Sequence, residues 1–390
     1  MTRLFAKGFG PIRALAATLM LMVLAACQMD LGGAGPVVNT KAPVPVALLL
    51  PYGSGDPNND VLATSLQNAA QLAVSDLGEV QIDLRIYNTT GTEAGAADAA
   101  RKAASEGAKV ILGPVFANEA NAAGAAVADR GISVLSFSNN TEIAGGNVFV
   151  LGHTFANTAN RLVSYAVSRG RGKVLVVHAS NLAGEAGRKA VEGAIRLAGA
   201  TQTGAASYEF SQQGVIEAVR GISKQVRDTG TDTIFFTSDT AGALPILAQL
   251  LPENGVDPAE IKFLGLTRWD IPTQTLSLSG LQGGWFALPD PSLTGSFNDR
   301  YAAAYGGQPH PLAGIAYDGV AAIGALVAKG QSDALSRENL TQRSGFAGVN
   351  GVFRLQSDGT IERAMAVVEI QDNKPVVIDP APRSFGGLGL

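Results

Sequence analysis

The chain has one cysteine, Cys27, among 390 residues, so no disulfide can form within it and a packed core must carry its stability. Histidine is nearly as scarce. His153, His178 and His310 are the only three, and none stands at metal-ligand spacing from another. There is no Walker A loop and no Gly-x-Ser-x-Gly elbow. Charge is thin at 16% of residues, with a formal net charge of -4, so no basic field exists to hold a nucleic acid. No apolar run reaches the roughly 20 residues of a spanning helix. These gaps exclude a disulfide scaffold, a zinc site of local spacing and the common nucleotide and hydrolase motifs.

What is present begins at the N-terminus. Arg3, Lys7 and Arg13 precede an apolar run from Ala14 to Ala26, the pattern of a secretory signal over residues 1–26. Leu24-Ala25-Ala26-Cys27 resembles the lipobox of bacterial lipoproteins. That resemblance implies lipidation of Cys27, which becomes the new N-terminus. It also gives a role to an odd cysteine in an exported chain; the alternative is a plain signal beside an unrelated cysteine. Acyl chains contribute about 0.8 kcal/mol per buried methylene, and two or more anchor stably. Gln28 after the cysteine resembles the outer-membrane sorting pattern. Residues 27–43, rich in Gly, Pro and Asn, read as a flexible tether. About 364 residues remain after the signal, enough for two lobes.

Beyond the tether, apolar runs and helical patterns alternate. Val44–Leu50 is a continuous apolar run, which suits a strand covered on both faces. Leu62, Leu66, Ala69, Ala70, Ala73 and Leu77 follow at spacings of three and four, and Gly78 stops them. Strands over 81–87, 110–112 and 132–137 alternate with helices over 93–106 and 118–130. Short connections of this kind imply right-handed crossovers and a parallel sheet. The pattern restarts at Lys173–His178 and continues through strands at 207–210, 233–237 and 261–266. The expected architecture is therefore α/β, with two doubly wound parallel-sheet lobes. Lobe 1 takes 44–152 plus 285–348, and lobe 2 takes 153–284 plus 349–380. Residues 381–390 form a loose tail. The segments 349–353, 364–369 and 375–378 alternate like antiparallel strands, with an Asp358-Gly359 turn between them.

Ligands of open α/β sheets bind outside the C-terminal ends of the strands. The polar turns there nominate Tyr52, Phe116, Ala117, Asn118, Ser136, Ser138 and Asn140 from lobe 1. Lobe 2 contributes Ser180, Asn181, Asp239 and Trp269. Some have an ordinary alternative: Asn118 precedes a helix, as do Asp239 and Thr240, and these are good N-cap types. His178 ends an apolar strand and reads as a hydrogen-bonded structural histidine. Gly170-Arg171-Gly172-Lys173 reads as a turn before a strand, not a phosphate loop. No triad, metal set or cofactor motif is present, so the chain reads as a non-enzyme without metal or cofactor.

VPVALLLPYG, NAAQLAVSDLG, ILGPVFAN, ISVLSFSNN, KVLVVHAS, TIFFTSD and the closing GVNGVFRLQSDGTIERAMAVVEI together resemble type I periplasmic binding proteins, in particular the leucine/branched-chain amino-acid branch. The resemblance spans about residues 44–380. It implies two lobes joined by a three-strand hinge that close on a small polar ligand, possession of no catalytic residues and, for transport members, an ABC permease as partner. The family's amino-acid binders use a small hydroxyl residue after the Gly-Pro turn, a Thr in the next exit loop and an acidic residue in lobe 2. Here Ala117 stands in the first place, Asn140 near the second with Ser138 beside it, and only Asp239 offers the third. The expected function is a lipid-anchored periplasmic solute-binding protein, held in the outer rather than the inner membrane through Cys27. The alternative is a lipoprotein of similar fold that activates a penicillin-binding protein. Nucleic acid is not an expected partner.

Overall fold

The structure, a computed structural model, describes residues 35–385. The signal, Cys27, the first part of the tether and the end of the tail lie outside the described residues. Strand β1 (Val44–Leu50) shows how the first sheet forms. Val46, Leu48 and Leu50 point into one core and Ala47 and Leu49 into another, as the two-residue period of a strand dictates. Both faces are thus apolar, so β1 can only be an inner strand. It pairs in parallel with β2 (Ile82–Asn88) on one side and β3 (Val110–Leu112) on the other.

Helix α1 (Pro57–Asp76) follows the spacing read from the sequence. Leu62, Leu66, Ala69, Ala70 and Ala73 are its buried stripe; Asp56 caps its start, and Pro57 opens the helix where no amide is needed. Helices α2 (Glu93–Ser105) and α3 (Ala117–Val127) cover the opposite face with alanines. Strands β4 (Ser133–Ser136) and β5 (Val148–Val150) complete a five-stranded sheet of order β2-β1-β3-β4-β5, parallel throughout.

After the first crossing the pattern restarts with α4 (Phe155–Ser168), β6 (Lys173–Ala179), α5 (Leu182–Leu197), β7 (Thr201–Tyr208), α6 (Gln212–Thr229), β8 (Thr233–Phe236), α7 (Leu244–Glu253) and β9 (Lys262–Gly265). The second sheet then receives β10 (Trp285–Leu288) and the antiparallel β14 (Ala366–Gln371) and β15 (Lys374–Asp379), giving the order β15-β14-β10-β9-β8-β6-β7. Between β10 and β14 the chain returns to lobe 1. It forms α8 (Pro291–Tyr305), α9 (Ala313–Val327), α10 (Arg337–Leu340) and a small antiparallel sheet β11 (Phe346–Gly348), β12 (Gly351–Leu355) and β13 (Ile361–Arg363). The Asp358-Gly359 turn joins β12 to β13, and Gly359 takes a positive φ of 86° there.

Two lobe boundaries differ from the sequence reading. Residues 285–288 belong to the second sheet: Trp285 sits between Leu264 and Glu369, and its indole N–H donates to Glu369 at 2.7 Å. Gly283 and Gly284 make a tight turn into β10, where Gly284 leaves room for the Trp269 ring. Residues 349–363 pack with lobe 1, because Val349, Phe353, Leu355 and Ile361 bury in the core that holds Leu48, Leu112 and Ile323. The three crossings are therefore residues 151–154, 289–290 and 364–365.

Candidate functional site

Between the lobes, around the crossings, lies a cavity of about 720 Å³. Its lobe 1 wall is built from the exits of β3 and β4. At the first exit Gly113 has a φ of 83°, and any side chain there would strike the carbonyl of Leu49 in the neighbouring strand. The backbone then turns through Pro114 into α3, leaving Val115, Phe116 and Ala117 on the cavity. The second exit adds Phe137, Ser138, Asn139 and Asn140. The first crossing supplies His153 and Thr154, and Thr154 also caps α4 by accepting from Asn157 N–H at 3.2 Å. Lobe 2 closes the other side with Phe155, Leu266, Thr267, Arg268 and Ile271, and the third crossing adds Met365. Phe297, His310 and Asn350 line the remainder.

The walls mix apolar side chains with hydroxyls, amides and two imidazoles, and the apolar surface is the larger share, as in most small-molecule sites. Arg268 is the one permanently charged lining residue among those described. Its Nε donates to Asp270 at 2.9 Å and Nη2 donates to the same carboxylate, which fixes the guanidinium plane. His153 has its Nδ1 sealed from solvent without a hydrogen-bond partner. Burial, and then the charges of Arg363 and Arg268, push its pKa down to about 3, so its ring is neutral. His310 is likewise lowered by burial, and its Nδ1 accepts the Leu312 amide at 3.2 Å.

Of the residues nominated from sequence, Phe116, Ala117, Ser138 and Asn140 line the cavity. Ser138 accepts from Asn140 N–H, and Asn140 accepts from Glu142 N–H, so the second exit is self-braced. Asn118 faces a separate shallow depression with Gly91, Thr92, Glu93 and Glu119. It is not an N-cap, since Phe116 holds that position. Ser136 is fully buried and structural, donating to Pro114 O at 3.0 Å and accepting from Ser138 N–H at 3.1 Å. Tyr52 bonds Gln67 and Thr64 on α1, away from the cavity.

The lobe 2 nominees do not reach the cavity. Asn181 caps α5 by accepting from Gly184 N–H at 2.8 Å, and Ser180 is exposed beside it. Asp239 lies on the loop before α7, and α7 begins only at Leu244, so neither Asp239 nor Thr240 caps it. Trp269 is wholly buried, stacked over Gly265 and 6.1 Å from the Phe286 ring, and so serves the lobe 2 core. His178 is buried, with Nδ1 3.1 Å from Ala179 O, in keeping with a structural histidine.

A family model described as periplasmic binding protein matches residues 43–375. The chain belongs to the periplasmic binding protein family. Solved structures of the same fold include a Rhodospirillum rubrum protein assigned to branched-chain amino-acid ABC transport, at 18% identity and a TM-score of 0.72, with 86% of this chain and 100% of that one covered. A substrate-binding protein of Desulfitobacterium hafniense in complex with Leu aligns at 17% identity and a TM-score of 0.62, covering 86% and 100%. A solute-binding protein of R. palustris in complex with benzoate aligns at 18% identity and a TM-score of 0.55, covering 87% and 98%. At such identities the likeness carries the fold. No curated protein matches the sequence.

In this periplasmic binding protein the lining residues that sequence reasoning missed include His153, Arg268, His310 and Asn350. Arg268 carried a readable signal, since it stands in the exit loop of β9 next to the nominated Trp269. The other three come from crossings and from the return into lobe 1, and only the assembled fold brings them together. Among the described residues no group of His, Cys, Asp and Glu is placed to hold a metal ion, and no helix is long and apolar enough to cross a membrane.

Proposed function

We propose that the chain is a non-catalytic, lipid-anchored solute-binding protein facing the periplasm, which captures a small ligand between its lobes and serves an ABC importer. The observation that carries this reading is the cavity itself: its walls come from both lobes and from the crossings, so a ligand there touches every part that a hinge motion would move. The polar groups it offers are binders, not reactants. Among the described residues no nucleophile and base share a hydrogen bond in it, His153 Nδ1 has no partner, and His310 Nδ1 is occupied by a backbone amide. The solved relatives that hold leucine and benzoate support an amino acid or a small organic acid as the kind of solute. Anchoring rests on the lipobox at Cys27, and an outer-membrane address on Gln28.

Thermal shift of the purified protein against amino acids, small amides, organic acids and peptidoglycan fragments tests the reading. A ligand at 100 times its dissociation constant adds about 2.7 kcal/mol, an easily seen rise in melting temperature. A full panel without stabilisation removes it. Ala117, which presents a methyl group to the cavity where the family's amino-acid binders place a hydroxyl, favours a second reading: an outer-membrane activator of a penicillin-binding protein, acting by protein contact. Failure to co-purify with any penicillin-binding protein from solubilised envelopes counts against that alternative.

A further inference from the structure

We infer that the cavity selects an apolar monocarboxylate that lacks an amino group, its carboxylate held by Arg268 and its body by the aromatic and aliphatic walls. This rests on the solute-binding reading above and narrows it to a ligand class.

Four observations point the same way. Asp270 holds Arg268 through Nε and Nη2, while Nη1 has no protein partner among the described residues. A fixed guanidinium with a free N–H edge is suited to a second carboxylate. The rest of the wall is dominated by Val115, Phe116, Phe137, Phe155, Phe297 and Ile315, which favour an apolar body. Among the described residues no carboxylate lines the cavity.

The acids nearby are committed or turned elsewhere. Asp270 is bound to Arg268, and Asp318 is sealed against Arg363 at 2.6 Å. Glu93 and Glu119 line the separate depression beyond Phe116 and Ala117. Asp239 is not a lining residue. An ammonium group brought into this space would lose its water and find only carbonyls, amides and hydroxyls, and a desolvated charge without a counter-charge is costly. The fourth observation is His153. Burial, more than the charges of Arg363 and Arg268, disfavours its protonated form, so a cation placed there on the ligand would meet the same cost. A zwitterion finds a counter-charge for its carboxylate in Arg268 and none for its ammonium; a simple carboxylate leaves no charge unmatched.

The test is calorimetric titration of the full-length protein in detergent with two matched series: 4-methylpentanoate, leucine and 3-methylbutylamine; and 3-phenylpropanoate, phenylalanine and 2-phenylethylamine. At least one carboxylate is expected to bind tenfold or more tightly than its amino acid, with no binding by the amine. Arg268→Gln is expected to weaken that carboxylate at least tenfold, the scale of one charge-assisted hydrogen bond, and Arg268→Lys less. Ligand-free melting curves show whether each variant is folded; if Arg268→Gln is not, the wild-type series decides alone. An amino acid binding as tightly as its carboxylate overturns the inference. So does carboxylate binding that a folded Arg268→Gln leaves unchanged, or the absence of binding in both series. If amides or peptidoglycan fragments bind while both series fail, the inference falls and the solute-binding reading stands.

Discussion

Arg363 and Asp318 form an ion pair of 2.6 Å in which both side chains are fully buried. The pair knots the hinge. Arg363 ends β13 just before the third crossing, and its Nη2 donates at 3.0 Å to the carbonyl of Leu151 in the first crossing. Asp318, on α9, also accepts from the Val349 amide at 2.7 Å and from the Asn350 side chain at 3.0 Å. Asn350 in turn lines the cavity. Two of the three crossings are thus tied to one helix of lobe 1, and the tie borders the ligand space.

Breaking this pair is expected to be expensive. Asp318→Asn leaves the Arg363 charge buried without its partner, and such losses cost about 3–5 kcal/mol. Urea denaturation monitored by circular dichroism measures it. The exposed pair Arg101–Asp98 serves as control, where Asp98→Asn should cost no more than about 1 kcal/mol. Equal effects at the two sites would mean that the hinge pair contributes no more than a surface contact.

Trp269 should act on stability through its seat. The indole lies against Gly265, and a methyl group at that position would fall well inside contact distance of its Cε2 atom. Gly265→Ala therefore overpacks the lobe 2 core, at about 1–3 kcal/mol, and Trp269→Ala empties it, at about 3–5 kcal/mol. Thermal melts of both variants check the order. A Trp269→Ala protein that melts with the wild type would place the indole outside the core.

The contrast between Trp269 and its neighbour Arg268 shows where the sequence was legible. Apolar runs and helical spacing located β1 and α1 because burial of both faces, or of one stripe, writes itself into local sequence. Strand β7 shows the reverse: seven of its eight residues are exposed or half-buried, so all but its end escaped notice. The segment 285–288 was recognised as a boundary but given to the wrong lobe, since an apolar tetrapeptide does not say which sheet it will join. The lobe 1 half of the cavity was legible because it follows strand exits in chain order. The lobe 2 half was not, because Asn181 spends its polarity on a helix cap and Trp269 turns inward.

Anchoring has its own test, independent of the cavity. If Cys27 is acylated, the wild-type protein partitions into the detergent phase of a Triton X-114 extraction and incorporates labelled palmitate in its host envelope. Cys27→Ser is expected to lose the label entirely, since no other cysteine exists. Two or more acyl chains, at about 0.8 kcal/mol per methylene, leave no appreciable soluble fraction. A wild-type protein recovered in the aqueous phase without label would remove the lipoprotein reading and leave the binding fold untouched.

His153 predicts how stability responds to acid. Its pKa is about 3 in the folded protein and near 6.5 when the chain unfolds. Between those values the unfolded chain holds a proton that the folded one refuses, so acid favours unfolding. The stability contributed by the neutral ring is complete above pH 6.5 and is lost as pH falls toward 3, at up to about 1.4 kcal/mol per pH unit. His310, lowered by burial as well, adds in the same direction. Urea midpoints measured from pH 7 to pH 5 should therefore fall in the wild type and fall less steeply in His153→Gln, which has no proton to take up. Parallel slopes for the two proteins would show that the ring is reached by water and titrates normally.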